Sequence, residues 1–262
     1  MVTGGGDVVL VERGDDGIAL VTLNRPEQRN AVNPQIAHRL EAVVDELEAD
    51  DTVRVVVLTG AGEGVFCAGA DLRIVAAGRV DELMTARGGF AGFVKAARRK
   101  PWIAAVDGFA LAGGCELALA CDLIVASRTS AFGLPEVTRG LVAAAGGLFR
   151  LPRVLPPALA LEAILTANRI PAEQAAASGM INRVTEPGEA VAGAIALARE
   201  IAANAPLAVQ ESLAIVRAAG AVHDAQFWAF SDDAMARLNR TEDLVEGATA
   251  FVEKRPPVWK GR

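Results

Sequence analysis

Three short segments of this 262-residue chain hold the residue types that could do chemistry: Phe66-Cys-Ala-Gly-Ala-Asp71, Leu111-Ala-Gly-Gly-Cys-Glu116 and Phe132-Gly-Leu-Pro-Glu136. The first two are small-residue turns able to aim backbone N–H groups at a single oxygen atom. The second and third each end on a glutamate. Two amide donors with two carboxyls are the parts needed to hold an enolate while a proton and a water move beside it.

Each part also has a plainer use. Ala68-Gly69-Ala70-Asp71 suits close backbone approach to a ligand, because small residues leave the N–H groups unshielded, and equally suits a tight turn with an Asp cap. Glu116 opens a helix, where a first-turn glutamate meets the helix dipole. Glu136 follows Pro135 and can simply begin a turn. The second segment is the more informative. Gly113-Gly114 makes a permissive bend, and free N–H groups at the helix start would stabilise an oxyanion. One such donor is worth about 3–4 kcal/mol of transition-state stabilisation in other enzymes. The neighbours of both glutamates are mostly apolar or small, so both carboxyls are expected to be poorly solvated and to titrate apart.

Other chemistries fit less well. Gly60-Ala-Gly-Glu-Gly64 follows an apolar strand as a dinucleotide fingerprint does, but Val65 stands where the third glycine belongs and no helix opens there. Neither a nucleophile elbow nor a Cys–His signature is evident. Glycosidases also pair carboxylates, yet aromatic residues are only 5% of the chain and none flank Glu116 or Glu136.

The chain is 52% hydrophobic and 22% charged, enough for a substantial core, and its net charge of −6 argues against a nucleic-acid partner. Arg98-Arg-Lys100 reads as a solvated helix end or as a contact for an anionic ligand; Lys254-Arg255 offers a second basic group. No stretch approaches the ~18 apolar residues of a membrane span, and the start lacks the pattern of a signal peptide. Cys67, Cys115 and Cys121, without metal spacing, suggest a reducing cytoplasm and buried packing. His38 and His223 read as surface or satisfied histidines, so no metal site is expected.

The elements that must position the site read as an α/β fold. A hairpin is expected over 8–12 and 18–23, then a helix capped by Asn33-Pro34 that buries Ile36, Leu40, Val43, Val44 and Leu47. The apolar run 53–59 reads as a strand covered on both faces. A Gly-rich helix over 83–97, stopped by Pro101, precedes a strand at 103–106, a helix at 114–120 and a strand at 123–127. Strands alternating with crossover helices imply a largely parallel sheet. Beyond Pro157 the chain reads as helices over 157–167, 172–178, 188–203, 206–219, 222–238 and 242–253. The last three, with Phe227, Trp228, Phe230 and Phe251, form a helical appendage that packs on the core or on another subunit.

Taken together, these segments resemble the crotonase (enoyl-CoA hydratase/isomerase) superfamily. Asn24-Arg-Pro-Glu-Gln-Arg-Asn-Ala-Val-Asn33, 55–60, the 140–147 loop, 161–168 and 175–184 fit as well, and Glu253-Lys-Arg-Pro-Pro-Val-Trp-Lys-Gly-Arg262 is similar to the tails of the carnitinyl-CoA dehydratase branch. The resemblance implies a spiral of ββα units over 1–200 with the active site, and a helical trimerisation region over 201–262. It implies a homo-oligomer, trimer or dimer of trimers, with an acyl-CoA as substrate and no separate cofactor. The oxyanion hole would use the N–H groups of Ala70 and Gly113. Ala68, Gly69, Ala70, Asp71 and Leu72 would contact the CoA portion, with Lys254 approaching it, and Glu116 and Glu136 would be the catalytic pair. The implied reaction is hydration of a trans-2-enoyl-CoA; a Δ3-Δ2 enoyl-CoA isomerase and a non-catalytic acyl-CoA-binding protein are the alternatives. Two departures stand out. Gly140-Leu-Val-Ala143 has Ala where the family loop has Pro, and Ala112 stands where a glycine often precedes the Gly113 position.

Overall fold

The computed structural model describes residues 7–204, 206–221, 236, 239–240 and 242–256. The chain opens with the expected hairpin, β1 (Val9–Arg13) antiparallel to β2 (Ile18–Leu23). Asn33 then caps α1 (Pro34–Ala49), its side chain accepting from the Ile36 N–H at 2.9 Å, and the five apolar positions named above are all buried.

From here a repeated unit builds the fold. A long strand in one sheet is followed by a short strand in a second sheet and then by a helical segment. The first unit is β3 (Val55–Gly60), β4 (Val65–Cys67) and α2 (Leu72–Ala76). The next is β7 (Trp102–Val106), β8 (Phe109–Leu111) and α3 (Gly113–Ala120). The third is β9 (Leu123–Ser127), β10 (Ala131–Gly133) and the 3-10 turn Pro135–Arg139. Later come α4 (Gly147–Val154), the helix Pro157–Thr166, and β11 (Ile170–Pro171) and β12 (Arg183–Thr185). The larger sheet runs β1-β2-β3-β7-β9-β12 and the smaller β11-β10-β8-β4, so successive units stack in the same order in both sheets. Apart from the β1/β2 and β10/β11 pairs, these strands are parallel. This is the spiral of ββα units that the resemblance implies.

The apolar run of β3 is explained by its two covers. Val55 and Val57, with Ile103 and Ala105, face the helix Ala190–Ala202, while Val56 and Leu58 face the main core with α1. Ala190, Ala194, Ala198 and Ala202 recur every fourth residue, giving that helix a small-residue seam against the sheet.

Three expectations need correction. The segment 83–97 is not a helix. It is a 3-10 turn (Val80–Leu83), a two-stranded ribbon of β5 (Met84–Thr85) and β6 (Gly89–Phe90), and turns. Gly89 and Gly92 take φ of +65° and +67°, and a side chain at Gly92 would stand 2.1 Å from the Ala37 carbonyl oxygen. That left-handed backbone is closed to a continuing helix. The Arg98-Arg-Lys100 group is not a helix end, and two of its three members are turned inward, while Arg99 is exposed. Arg98 lies 4.0 Å over the Phe93 ring and donates to the Phe93 and Ala120 carbonyls. Lys100 is buried and its Nζ donates to the carbonyls of Leu47 and Asp50. The helical reading of the second half also omitted β11 and β12, which are too short to carry an alternating pattern.

Helices at Pro206–Ala221 and Glu242–Val252 agree with the expected ones. The helix expected over 222–238, with His223, Phe227, Trp228 and Phe230, lies almost wholly outside the described residues. Among the described residues no helix is long and apolar enough to cross a membrane.

Candidate active site

The three chemistry-bearing segments meet because each follows a strand of the smaller sheet. β8 lies between β4 and β10, pairs with both in parallel, and Phe109 aligns with Val65 on one side and Ala131 on the other. Parallel neighbours lie about 4.8 Å apart and end at the same edge, so the turn 68–71, the start of α3 and the Pro135–Arg139 turn emerge side by side. Residues up to 71 positions apart in sequence thereby share one rim.

Gly69 and Gly113 touch across this rim. A methyl group on Gly69, whose φ is +93°, would lie 2.9 Å from the Gly113 nitrogen and 2.8 Å from the Ala112 Cβ. Val32 bridges this turn: its N–H donates to the Gly69 carbonyl at 2.8 Å and its carbonyl accepts from the Asp71 N–H at 2.9 Å. In such a parallel bridge the N–H of the intervening residue points the other way, which turns Ala70 away from Val32. Neither the Ala70 nor the Gly113 N–H donates to another group among the described residues. Gly113 is the first residue of α3, where N–H groups are left over by the helix geometry.

Buried bonds that sequence reasoning did not find hold the first turn. Asn30 is fully buried, and its amide donates to the carbonyls of Ala61, Val65 and Phe66. Arg25 donates to the Ala31 carbonyl and pairs with Asp71 at 3.3 Å, while Asp71 also caps α2 through the Arg73 N–H. The Asp cap and the exposed backbone approach therefore coexist in one turn. Ala68 and Leu72 flank it, half-buried, and the Ala68 N–H is taken up by the Arg29 carbonyl at 3.0 Å. Lys254 stands exposed just beyond the helix Glu242–Val252, which packs on α2 and on the Pro135–Arg139 turn.

Ala112 adopts φ 51° and ψ −130°, a region that glycine enters freely and alanine does not. The residue fits, but under strain.

Glu116 and Glu136 are 3% and 8% exposed. Glu116 Oε1 accepts from the Gly147 N–H at 2.9 Å, so the 140–147 loop folds over the base of α3. A side chain at Gly147 would press on Leu134 and on the Glu116 Cγ. Glu136 Oε2 has no partner among the described residues. Burial pushes both carboxyls well above the usual carboxylate range. For Glu116 the Gly147 amide and the Arg150 charge oppose that rise, whereas for Glu136 the nearby charge of Glu116 adds to it. Glu116 is thus the member that ionises first, and Glu136 the one that keeps its proton.

The cysteines are all buried and free. Burial pushes the Cys67 and Cys121 thiols up to about 12, and raises that of Cys115 as well. None is a thiolate nucleophile at neutral pH. Among the described residues no group of three or more His, Cys, Asp or Glu side chains is gathered to hold a metal.

Two buried carboxyls, and the close approach of Gly69 to the start of α3, are carried on a spiral of ββα units. The chain belongs to the enoyl-CoA hydratase/isomerase family, whose pattern it matches over residues 13–262. Among curated relatives it is 40% identical to a carnitinyl-CoA dehydratase of Proteus mirabilis, over 92% of this chain and 94% of that protein, and 38% identical to the Escherichia coli K12 carnitinyl-CoA dehydratase over the same shares. A carnitinyl-CoA hydratase from Mycobacterium avium superposes with a TM-score of 0.91 at 42% identity, covering 98% of this chain and all of that one. An enoyl-CoA hydratase from Mycobacterium tuberculosis H37Rv gives 0.78 at 46% identity, with the same coverage.

Proposed function

We propose that this protein adds water reversibly across the double bond of a trans-2-enoyl-CoA thioester. Its relatives are named as hydratases and dehydratases of CoA thioesters. The observation that carries the reading is the buried glutamate pair set beside the Gly69–Gly113 contact.

In this mechanism the thioester carbonyl oxygen accepts from the Ala70 and Gly113 N–H groups. The double bond is polarised, and the enolate that forms on attack keeps those two hydrogen bonds. Glu116, ionised, orients a water and takes its proton as the oxygen bonds to the β-carbon. Glu136, protonated, delivers its proton to the α-carbon as the enolate collapses. The thioester stays intact, and elimination runs the same steps backwards with the roles exchanged. The titration order supports this division: the Gly147 amide and Arg150 favour the ionised form of Glu116, and the unpartnered Glu136 Oε2 favours a proton donor.

Ala68, Gly69, Ala70, Asp71 and Leu72 are assigned to the CoA portion, with Lys254 approaching it from the same or a neighbouring subunit. Coenzyme A enters only as part of the substrate, and no resident cofactor is assigned. The region 201–262 is assigned to assembly as a trimer or dimer of trimers, and the exposed Leu161 and Leu165 suit burial in such an assembly. We assign the protein to the cytoplasm and to acyl-CoA, including fatty-acid, metabolism.

Crotonyl-CoA is the test substrate, with crotonobetainyl-CoA beside it. Loss of the enoyl absorbance on adding enzyme supports hydration. A preparation that shifts a Δ3 double bond to Δ2 yet leaves crotonyl-CoA unchanged is an isomerase, and one that binds both without turnover is a binding protein.

A further inference from the structure

We propose that Arg150 is a positioning residue for Glu116, acting through the backbone of residues 145–147 without touching the substrate. The guanidinium donates to the Ala145 carbonyl at 3.2 Å and to the Val94 carbonyl at 2.8 Å. It lies over Gly146, whose φ is +109°, and a side chain at Gly146 would collide with it. The next residue, Gly147, gives its N–H to Glu116 Oε1 at 2.9 Å. One side chain therefore ties the loop that holds Glu116 to the glycine-rich segment that includes Phe90. The Phe90 ring edge stands where a side chain on Gly113 would have to go, so the same clamp joins the walls on either side of α3.

Charge acts in the same direction. Burial favours protonated Glu116, and Arg150 opposes it. Among the described residues, the other titratable groups here are Cys115 on α3 itself, Cys121 at the end of α3, whose thiol also feels the Arg150 charge, and Glu136 from the Pro135–Arg139 turn, with Arg139 beside Glu136. Among the described residues, Arg150 is the cation whose charge opposes the rise in Glu116. A neutral side chain of similar length would lose the clamp, the charge and the guanidinium's 5.1 Å approach to the Phe149 ring.

The kinetic part rests on the hydratase reading above. Arg150→Met is expected to lower kcat about 10- to 100-fold with KM changed less than about threefold, as for a group displaced by a fraction of an ångström. The acid limb of its kcat profile moves to higher pH, because Glu116 becomes harder to ionise. Arg150→Lys keeps the limb near its wild-type position but recovers only part of the rate, since an ammonium lacks the fork that reaches two carbonyls. An unmoved acid limb in a folded Arg150→Met overturns the proposal. A double-mutant cycle with Glu116→Gln, read by urea unfolding at about pH 9 and about pH 5, tests the same link without turnover. Coupling at the higher pH that vanishes at the lower supports it, and additivity at both overturns it. If Arg150→Met does not fold, the cycle is run with Arg150→Lys against Arg150→Gln, and equal coupling in the two again overturns it. A wild type inactive on enoyl-CoA would instead count against the hydratase reading, while the coupling measured by unfolding would still decide whether Arg150 positions Glu116.

Discussion

Gly69 and Gly113 pass so close that a methyl group on the first would stand 2.9 Å from the backbone nitrogen of the second. This contact brings the turn after β4 onto the first residue of α3, and with it the two amides assigned to the thioester oxygen. Gly69→Ala must strain a φ of +93° as well as displace Gly113. It is expected to cost about 1–3 kcal/mol of stability and roughly 100-fold or more in kcat, measurable by urea unfolding and crotonyl-CoA hydration on the same preparation.

Replacing either carboxyl by its amide keeps shape and removes acid–base function. Glu116→Gln and Glu136→Gln are each expected to lower kcat by about 10²- to 10⁴-fold with little change in CoA-ester binding. Equilibrium binding of a non-reactive acyl-CoA checks the second half, and unchanged turnover in both variants would remove the assignment.

The proposed mechanism needs one carboxyl ionised and one protonated. Since both titrate above the usual range, and Glu136 holds its proton longer, the rate should fall on both sides of a window displaced upward from ordinary glutamate chemistry. A kcat/KM profile whose acid limb sits at the ordinary glutamate value of 4.5 would contradict that.

The same titrations reach stability. A carboxyl whose folded-state value is raised binds its proton more tightly when folded. Its contribution is complete below the unfolded value near 4.5 and is lost as pH rises through the folded one. Glu136→Gln removes that loss, so the variant should gain on wild type as pH rises, by on the order of 1–4 kcal/mol at alkaline pH. Urea unfolding of both proteins across the pH range reads the difference.

Ala112 sits at φ 51° and ψ −130°, so Ala112→Gly should raise stability, by about 1 kcal/mol after the entropy of the unfolded chain is counted. Thermal unfolding checks the sign; a lower Tm would mean that the Ala112 methyl contact with Gly69 outweighs the strain.

Much of this was legible in the sequence because it was written locally. The Asn33-Pro34 cap, the apolar face of α1 and the run of β3 each follow from neighbouring residues, and so does the pairing of small-residue turns with Glu116 and Glu136. What stayed hidden depends on distant backbone. The segment around Gly88, Gly89 and Gly92 has the apolar spacing of a helix, but Gly89 and Gly92 turn left-handed, and Gly92 packs against the Ala37 carbonyl of α1 too closely for any side chain. Lys100 looks like a surface cation until the carbonyls of Leu47 and Asp50 close on it. Asn30 binds carbonyls 31 to 36 residues ahead, and Gly147 meets Glu116 from 31 residues away. No local pattern encodes such partners.

The most direct measurement is a crystal structure of the protein with a non-hydratable acyl-CoA. The thioester oxygen is expected at about 2.7–3.1 Å from both the Ala70 and Gly113 nitrogens, with the Glu116 and Glu136 carboxyls facing the adjacent carbons. A thioester seated elsewhere, or with its α- and β-carbons turned away from both carboxyls, would contradict the proposed chemistry.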